Sequence, residues 1–215
     1  MLRTSYDGDN QTLWIELPSI SSDSMSGHTL LPRSHVSSFT IGDKVIGIVQ
    51  KKTGEQFFVN IGCGSLATLH YLAFEGSSKK TKPDVKVGDV LYASVRSGDI
   101  DMEVELQCID ENGKSKDFGV VGRLEPGVVG NSGSTQGGLL LTCSRQTVMK
   151  LLDKQRFPLL EKLSETYSYE VYLGVNGAIW LNCKSPKDIQ IIANAIILSQ
   201  YVSSSQCLEY ASSLV

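Results

Sequence analysis

No apolar run in this 215-residue chain approaches the ~18 residues that a bilayer crossing needs, so a membrane-spanning helix is not expected. There is no CxxC pair and no Cys/His cluster. The five cysteines (Cys63, Cys108, Cys143, Cys183, Cys207) are widely spaced and the three histidines scattered. Zinc spacing is therefore absent, and the odd cysteine count fits reduced, structural thiols in a nucleus or cytosol. A surplus of positive charge is lacking too: 20 Lys and Arg face 23 Asp and Glu, for a net charge of −3. A free-standing nucleic-acid binder is usually basic, because phosphate neutralisation supplies most of its affinity. Any such role must rest on local patches or on an assembly. The segment Met1–Asp7 carries one basic residue and no apolar stretch, so no secretory leader is expected. Gly119-Val120-Val121-Gly122 lacks the Lys-Ser/Thr of a phosphate loop, and neither a cofactor nor a metal is expected.

What is present begins with Tyr169-Glu170-Val171-Tyr172-Leu173-Gly174-Val175-Asn176-Gly177-Ala178-Ile179-Trp180-Leu181. Two β-prone runs flank Asn176-Gly177, a dipeptide suited to a two-residue hairpin turn. Helix signals lie on both sides. Leu139–Cys143 reads as a strand, and Ser144 caps a helix with Val148, Leu151 and Leu152 on one face. Pro158 suits the first position of a second helix, striped by Leu159, Leu160, Leu163 and Tyr167. Ser185-Pro186-Lys187-Asp188 then opens a third, whose Ile189, Ile192, Ala193, Ile196 and Ile197 recur at helical spacing. The order is β-α-α-β-β-α, the arrangement of a small RNA-binding-type domain.

Upstream the pattern is β. Five short strands are expected at Asp43–Val49, Gln56–Ile61, Ala67–Phe74, Val90–Val95 and Val104–Ile109, with Gly-rich turns and one longer loop from Gly76 to Pro83. A closed barrel of the OB type accommodates them, and an open sheet fits the periodicity nearly as well. Residues 1–40 hold one apolar run, Leu13–Leu17, a Ser-rich stretch and Leu30-Leu31-Pro32. That is too little for a core, so the segment is read as strands added to a neighbour. Residues 111–137 read as a Gly-rich connection whose later part has linker composition.

A barrel followed by a β-α-α-β-β-α module resembles an S1-type OB domain followed by a KH domain. Gly42–Val49 looks like the opening of the S1 domain in cap subunits of the RNA exosome. Tyr71–Gly76 and Pro83–Tyr92 are similar to its later strands, and Gly174–Gly177 resembles the GxNG signature of its KH domain. The resemblance covers residues 40–200; residues 1–39 and the stretch 124–137 depart from the pattern. It implies a mainly β plus α+β chain, with an N-terminal β segment (1–40), an S1 barrel (41–110), the connection (111–137) and a KH-type domain (138–215). It also implies a non-catalytic subunit seated on RNase PH-like ring subunits with other cap subunits, and RNA guided to a 3′–5′ exonuclease in another chain. RNA processing and decay, rRNA processing included, and a place in nucleus, nucleolus and cytoplasm follow from the same resemblance.

Candidate RNA contacts are Lys79, Lys80, Lys82 and Lys86 in or beside the long loop, Arg96 on the fourth strand, Phe58 and His70. OB folds stack bases on strand aromatics beside a basic rim. Phe57 and Phe58 point to opposite faces, so one of them is core. Phosphate-clamping KH domains carry GXXG between their first two helices; here Asp153–Pro158 has no glycine. Lys154 and Arg156 are weighed there against a solvated helix end. Gly174, Asn176 and Gly177 are read as structural, a role the family resemblance also implies. Two rival readings are a stand-alone S1/KH RNA-binding factor and a metal-dependent nuclease using Asp99, Asp101, Glu103 and Glu105. Alternating acids on a strand are more often a solvated face.

Overall fold

The computed structural model describes residues 4–5, 14–15, 39–98, 103–124 and 138–201. Within the N-terminal segment, β1 (Thr4–Ser5) pairs antiparallel with β2 (Trp14–Ile15). The Ser-rich stretch, Leu30–Pro32, Asp99 to Met102, the later connection and Cys207 lie outside the described residues.

Alternation along β3 (Lys44–Lys52), β4 (Gln56–Asn60), β5 (Ala67–Phe74), β6 (Asp89–Ser97) and β7 (Glu105–Cys108) builds the first core. The strands run β3-β4-β5-β7-β6, and a β6–β3 pairing closes the ring. Antiparallel ladders join every neighbour except β5 and β7, which are parallel. Of the two architectures open from sequence, the closed barrel is the one formed. Val45, Val49, Phe57, Val59, Leu69, Leu91, Val95 and Leu106 fill it, each such side chain contributing ~1.5–3 kcal/mol of burial.

Strand bounds and strand number differ from expectation: β6 extends past both ends of Val90–Val95, β4 and β7 stop short of Ile61 and Ile109, and one strand is added. β3 runs on to Lys52, because its last residues pair with Phe57 and Phe58 of β4. Inside the stretch read as a connection, Gly119–Arg123 forms β8, which pairs with the Asp89–Tyr92 half of β6 while β7 occupies the Ser94–Ser97 half. Its glycines hid it from strand propensity, and a ladder partner supplies what propensity lacks.

The helical module follows as β9 (Gly138–Thr142), α1 (Arg145–Leu152), α2 (Leu159–Thr166), β10 (Tyr169–Leu173), β11 (Ala178–Cys183) and α3 (Pro186–Leu198). Its antiparallel sheet has the order β10-β11-β9. Ser144 caps α1 by accepting from Thr147 N. Val148 and Leu151 are buried, whereas Leu152 faces outward at 46% exposure, one step off the helix's core stripe. Pro158 sits at the cap of α2 rather than inside it. Leu159, Leu163, Ile179, Leu181, Ile189, Ile192 and Ile196 complete this second core.

β11 alternates between two partners. Ile179 and Leu181 face the helices; Ala178 and Trp180 face the barrel. β3 does the same, sending Val45 and Val49 into the barrel and Ile46 and Ile48 to the seam. A strand buried on both faces reads as an unbroken apolar run, which is what Val45–Val49 shows. Trp180, fully buried, packs among Ile46, Ile48, Val90 and Tyr92. Glycine is required around it: a Cβ on Gly122 would lie 2.7 Å from the indole Cε2, and one on Gly138 would also strike the ring.

Candidate nucleic-acid interface

The face presented by barrel strands β4 and β5 is where an OB fold receives oligonucleotides. Here Phe57 turns into the core and Phe58 turns outward, half-buried. Tyr71 and Tyr92 are core side chains at 7% exposure each, and neither is presented for stacking. Across the sheet, Lys51, Phe58, Thr68 and Glu105 follow one another in register through β3, β4, β5 and β7. Lys51 Nζ lies 5.7 Å from the centre of the Phe58 ring. Arg96 on β6 completes the row through its 3.2 Å contact with Glu105 Oε1. The guanidinium is therefore neutralised locally and is separate from the loop lysines.

Two pairs further along, on the same face, His70 stands opposite Gln56. Its ring stacks on Tyr71 at 4.7 Å, and Nδ1 accepts from Leu72 N. With Nδ1 accepting, the neutral ring carries its proton on Nε2, a donor left for a ligand.

The loop lysines gather at the end of the barrel where β3 turns into β4. Lys82 Nζ donates to Gly54 O at 2.8 Å and lies 5.4 Å from the centre of the Tyr71 ring. Lys52 Nζ reaches the other way, to Val85 O at 2.9 Å, and sits over Phe57 at 5.4 Å. These reciprocal bonds fasten the loop to the turn and bring Lys51, Lys52, Lys79, Lys80 and Lys82 to one end of the barrel. Lys79 and Lys80 are exposed on the loop itself, and Lys86 makes a loose 3.9 Å pair with Asp84. Sequence reading missed Lys51 and Lys52. A hairpin register carried through Thr53-Gly54 would have found them opposite Phe58 and Phe57.

Between α1 and α2 the Asp153–Pro158 loop carries no glycine at which a phosphate could approach the backbone. Phe157 is buried, and Asp153 Oδ2 pairs with Arg156 Nε at 3.5 Å. Lys154 is exposed beside it. Of the acids weighed for a nuclease, Asp99 and Asp101 lie outside the described residues, Glu103 is exposed and Glu105 is tied to Arg96. Among the described residues no three His, Cys, Asp or Glu side chains form a metal-holding group, and no helix is long and apolar enough to cross a membrane.

The Gly174–Gly177 turn joins the two units. It is not the two-residue turn that Asn176-Gly177 suggested. Gly174 N donates to Ala178 O at 2.8 Å and Gly177 N to Gly174 O at 2.9 Å, which makes a three-residue connection. Positive φ falls on Gly177 alone, at 86°, as in a type I turn closed by a left-handed glycine. Asn176 thus spends its side chain elsewhere. The β3–β4 ladder stops at Ile48↔Asn60, and the turn takes over where β4 ends. Val175 N donates to Lys44 O at 2.8 Å; Asn176 Nδ2 donates to Ile46 O at 2.7 Å and Ile61 O at 2.9 Å. Gly174 permits the approach, since a Cβ there would lie 2.8 Å from Ile46 N. Arg145 adds a 3.7 Å contact to Asp43 across the same seam.

Comparison with known proteins agrees with this architecture. Residues 39–119 match the family model for the S1 domain of exosome complex component RRP40, and residues 138–187 match a KH domain. Exosome complex component RRP40 of Bos taurus is 35% identical over 165 residues, covering 77% of this chain and 55% of that protein. The Drosophila melanogaster protein of that name is 38% identical, covering 72% and 60%. The Schizosaccharomyces pombe one is 30% identical, covering 80% and 67%. The chain thus spans little more than half the length of the bovine and fly relatives. A crystal structure labelled as an exosome complex RNA-binding protein shares the fold at a TM-score of 0.60 and 20% identity, covering 81% of this chain and 94% of that one. With an S1 barrel and a KH-type module pinned together by Asn176, the chain belongs to the family of exosome complex component RRP40.

Proposed function

We propose that the chain is a non-catalytic cap subunit of an RNA exosome that guides RNA toward a 3′–5′ exonuclease on another chain. Its working surface is the β4–β5 face with Phe58, His70 and Lys51, continued by Lys79, Lys80, Lys82 and Lys86. The observation that supports this most is the reciprocal bonding of Lys52 and Lys82, which sets a basic end beside a partly exposed aromatic. Stacking and phosphate attraction then act on one strand without base preference. With a net charge of −3 the chain does not hold RNA tightly by itself, so the assembly supplies the rest. The pinned barrel and KH-type module form a rigid bracket that spans neighbouring ring subunits. Work in RNA processing and decay, in nucleus, nucleolus and cytoplasm, belongs to this reading.

Purification of the tagged protein from its own cells tests the proposal. RNase PH-like proteins and other cap subunits are expected in stoichiometric amounts by mass spectrometry. A monomer that binds RNA tightly with no such partners would make it a stand-alone RNA-binding factor instead.

A further inference from the structure

Between the lysine loop and the 109–118 excursion lies a groove of about 360 Å³ that RNA guidance does not require. Phe74, Phe118 and Cys108 are its apolar part; Glu75, Thr81 and Lys82 are among its polar lining. Both rings are held in place. Phe74 meets Phe57 edge-on at 6.0 Å, and Phe118 packs on Tyr92 at 5.5 Å. Glu75 Oε2 accepts from both Ser115 N and Ser115 Oγ at 2.7 Å, while Oε1 accepts no hydrogen bond among the described residues. The Ser115 bonds, with Lys114 nearby, hold the Glu75 carboxyl below its ordinary range, so it stands ionised and purely accepting.

These features specify a ligand. Aromatic walls call for a flat ring, a lone accepting oxygen calls for donors on that ring's rim, and Lys82 on the wall, with Lys79 and Lys80 on the same loop, calls for an attached anion. A guanidinium side chain would satisfy the rings and the carboxylate, but Lys79, Lys80, Lys82 and Lys114 would repel it. Among RNA bases, guanine alone carries two adjacent donors, N1–H and N2–H, on one edge, and both can converge on Oε1, since Oε2 already holds its two Ser115 bonds. Adenine and cytosine offer one amino group beside an acceptor, and uracil's single N–H lies between two carbonyls that a carboxylate repels. We propose that this groove is a pocket for a guanine base of the RNA strand carried on the loop lysines. The proposal rests on the RNA-guiding reading and adds base selectivity to it.

Mononucleotides and the purified full chain test this. GMP, AMP, CMP and UMP are titrated while the Phe74 and Phe118 ring resonances are followed by NMR. GMP is expected to bind about tenfold more tightly than the others, the scale of one paired-donor contact. Glu75→Gln keeps an acceptor for Ser115 but turns a donor toward the groove, so the GMP preference should fall to parity while the melting temperature holds. Ring resonances unmoved by millimolar GMP, or equal responses to all four nucleotides, would overturn the pocket. So would shifts caused by N-acetylarginine amide and not by GMP, which would make the groove a protein-docking site. An oligouridine strand separates the two claims. If it binds, however weakly, through Lys79 and Lys80 while GMP leaves the rings unmoved, the pocket fails and RNA guidance stands; if neither binds even at millimolar concentration, both fail.

Discussion

The Asn176 carboxamide bonds to both backbone groups of Ile46: Oδ1 accepts from Ile46 N at 3.2 Å and Nδ2 donates to Ile46 O at 2.7 Å. A side chain of the KH-type module stands in for the missing strand at the barrel's edge. Asn176→Ala would leave Ile46 N, Ile46 O and Ile61 O buried without this partner. At ~1–3 kcal/mol for a buried polar group left unpaired, with water recovering part, the expected loss is about 3 kcal/mol. Asn176→Asp keeps the acceptor and loses both donor bonds, so it should destabilise as well. Thermal or urea denaturation measures both; a loss under ~0.5 kcal/mol, the scale of a neutral surface change, would contradict the pinning role.

Trp180 lies in the seam between the two units, so they should unfold together. A single calorimetric transition is expected, with calorimetric and van't Hoff enthalpies equal. Gly122→Ala forces a methyl into the indole and should cost ~1–3 kcal/mol, with a red shift in tryptophan emission if the seam opens. Two resolved transitions in the unmodified chain would contradict a shared core.

Replacing Lys79, Lys80 and Lys82 together by Ala should weaken RNA binding in the assembled complex. Each phosphate contact contributes ~0.7 to the salt slope on single strands, so log K against log salt should flatten by about 2. Arg96→Ala should do much less, since Glu105 already neutralises it. An unchanged slope in the triple variant would remove the loop from the RNA path.

Asp110 gathers the 110–116 turn. Its Oδ1 accepts from Asn112 N and Lys114 N, its Oδ2 forms a 2.9 Å ion pair with Lys116 Nζ, and these contacts, the Lys116 one foremost, lower its pKa from 3.8 to about 2. Because the folded value lies below the unfolded one, the contribution is complete above pH ~4 and is lost as pH falls toward ~2. Asp110→Asn should flatten the stability profile in that window and leave the slope at neutral pH unchanged. An identical acid profile in the variant would refute this.

RNA incubated with the purified chain and Mg²⁺, or with inorganic phosphate, should remain intact. Turnover abolished by substituting Asp101 or Glu103 would instead establish a nuclease.

Much of this fold was legible because its signals are local. The period-2 runs of β4 and β5, the cap at Ser144 and the Ile189–Ile196 stripe need no distant partner to be recognised. What escaped the sequence is what a distant partner decides. β8 forms because half of β6 lacks a neighbour, and Asn176 meets Ile46 across 130 positions. The site was legible in part by the same rule. Lys79 to Lys86 stand out as a run, whereas Lys51 and Lys52 join them through register. Arg96 drops out of the free charges through a contact with Glu105 that no motif announces.

The Ile46, Ile48 and Val90 flank has a consequence for synthesis. The ribosome releases this flank well before Ala178 and Trp180, the residues that cover it. The nascent barrel therefore waits with a greasy side turned to solvent, a state prone to sticking or to chaperone capture. Slow elongation through the 138–180 stretch would lengthen that wait, so the yield of native protein should depend on how quickly translation delivers the indole to its slot.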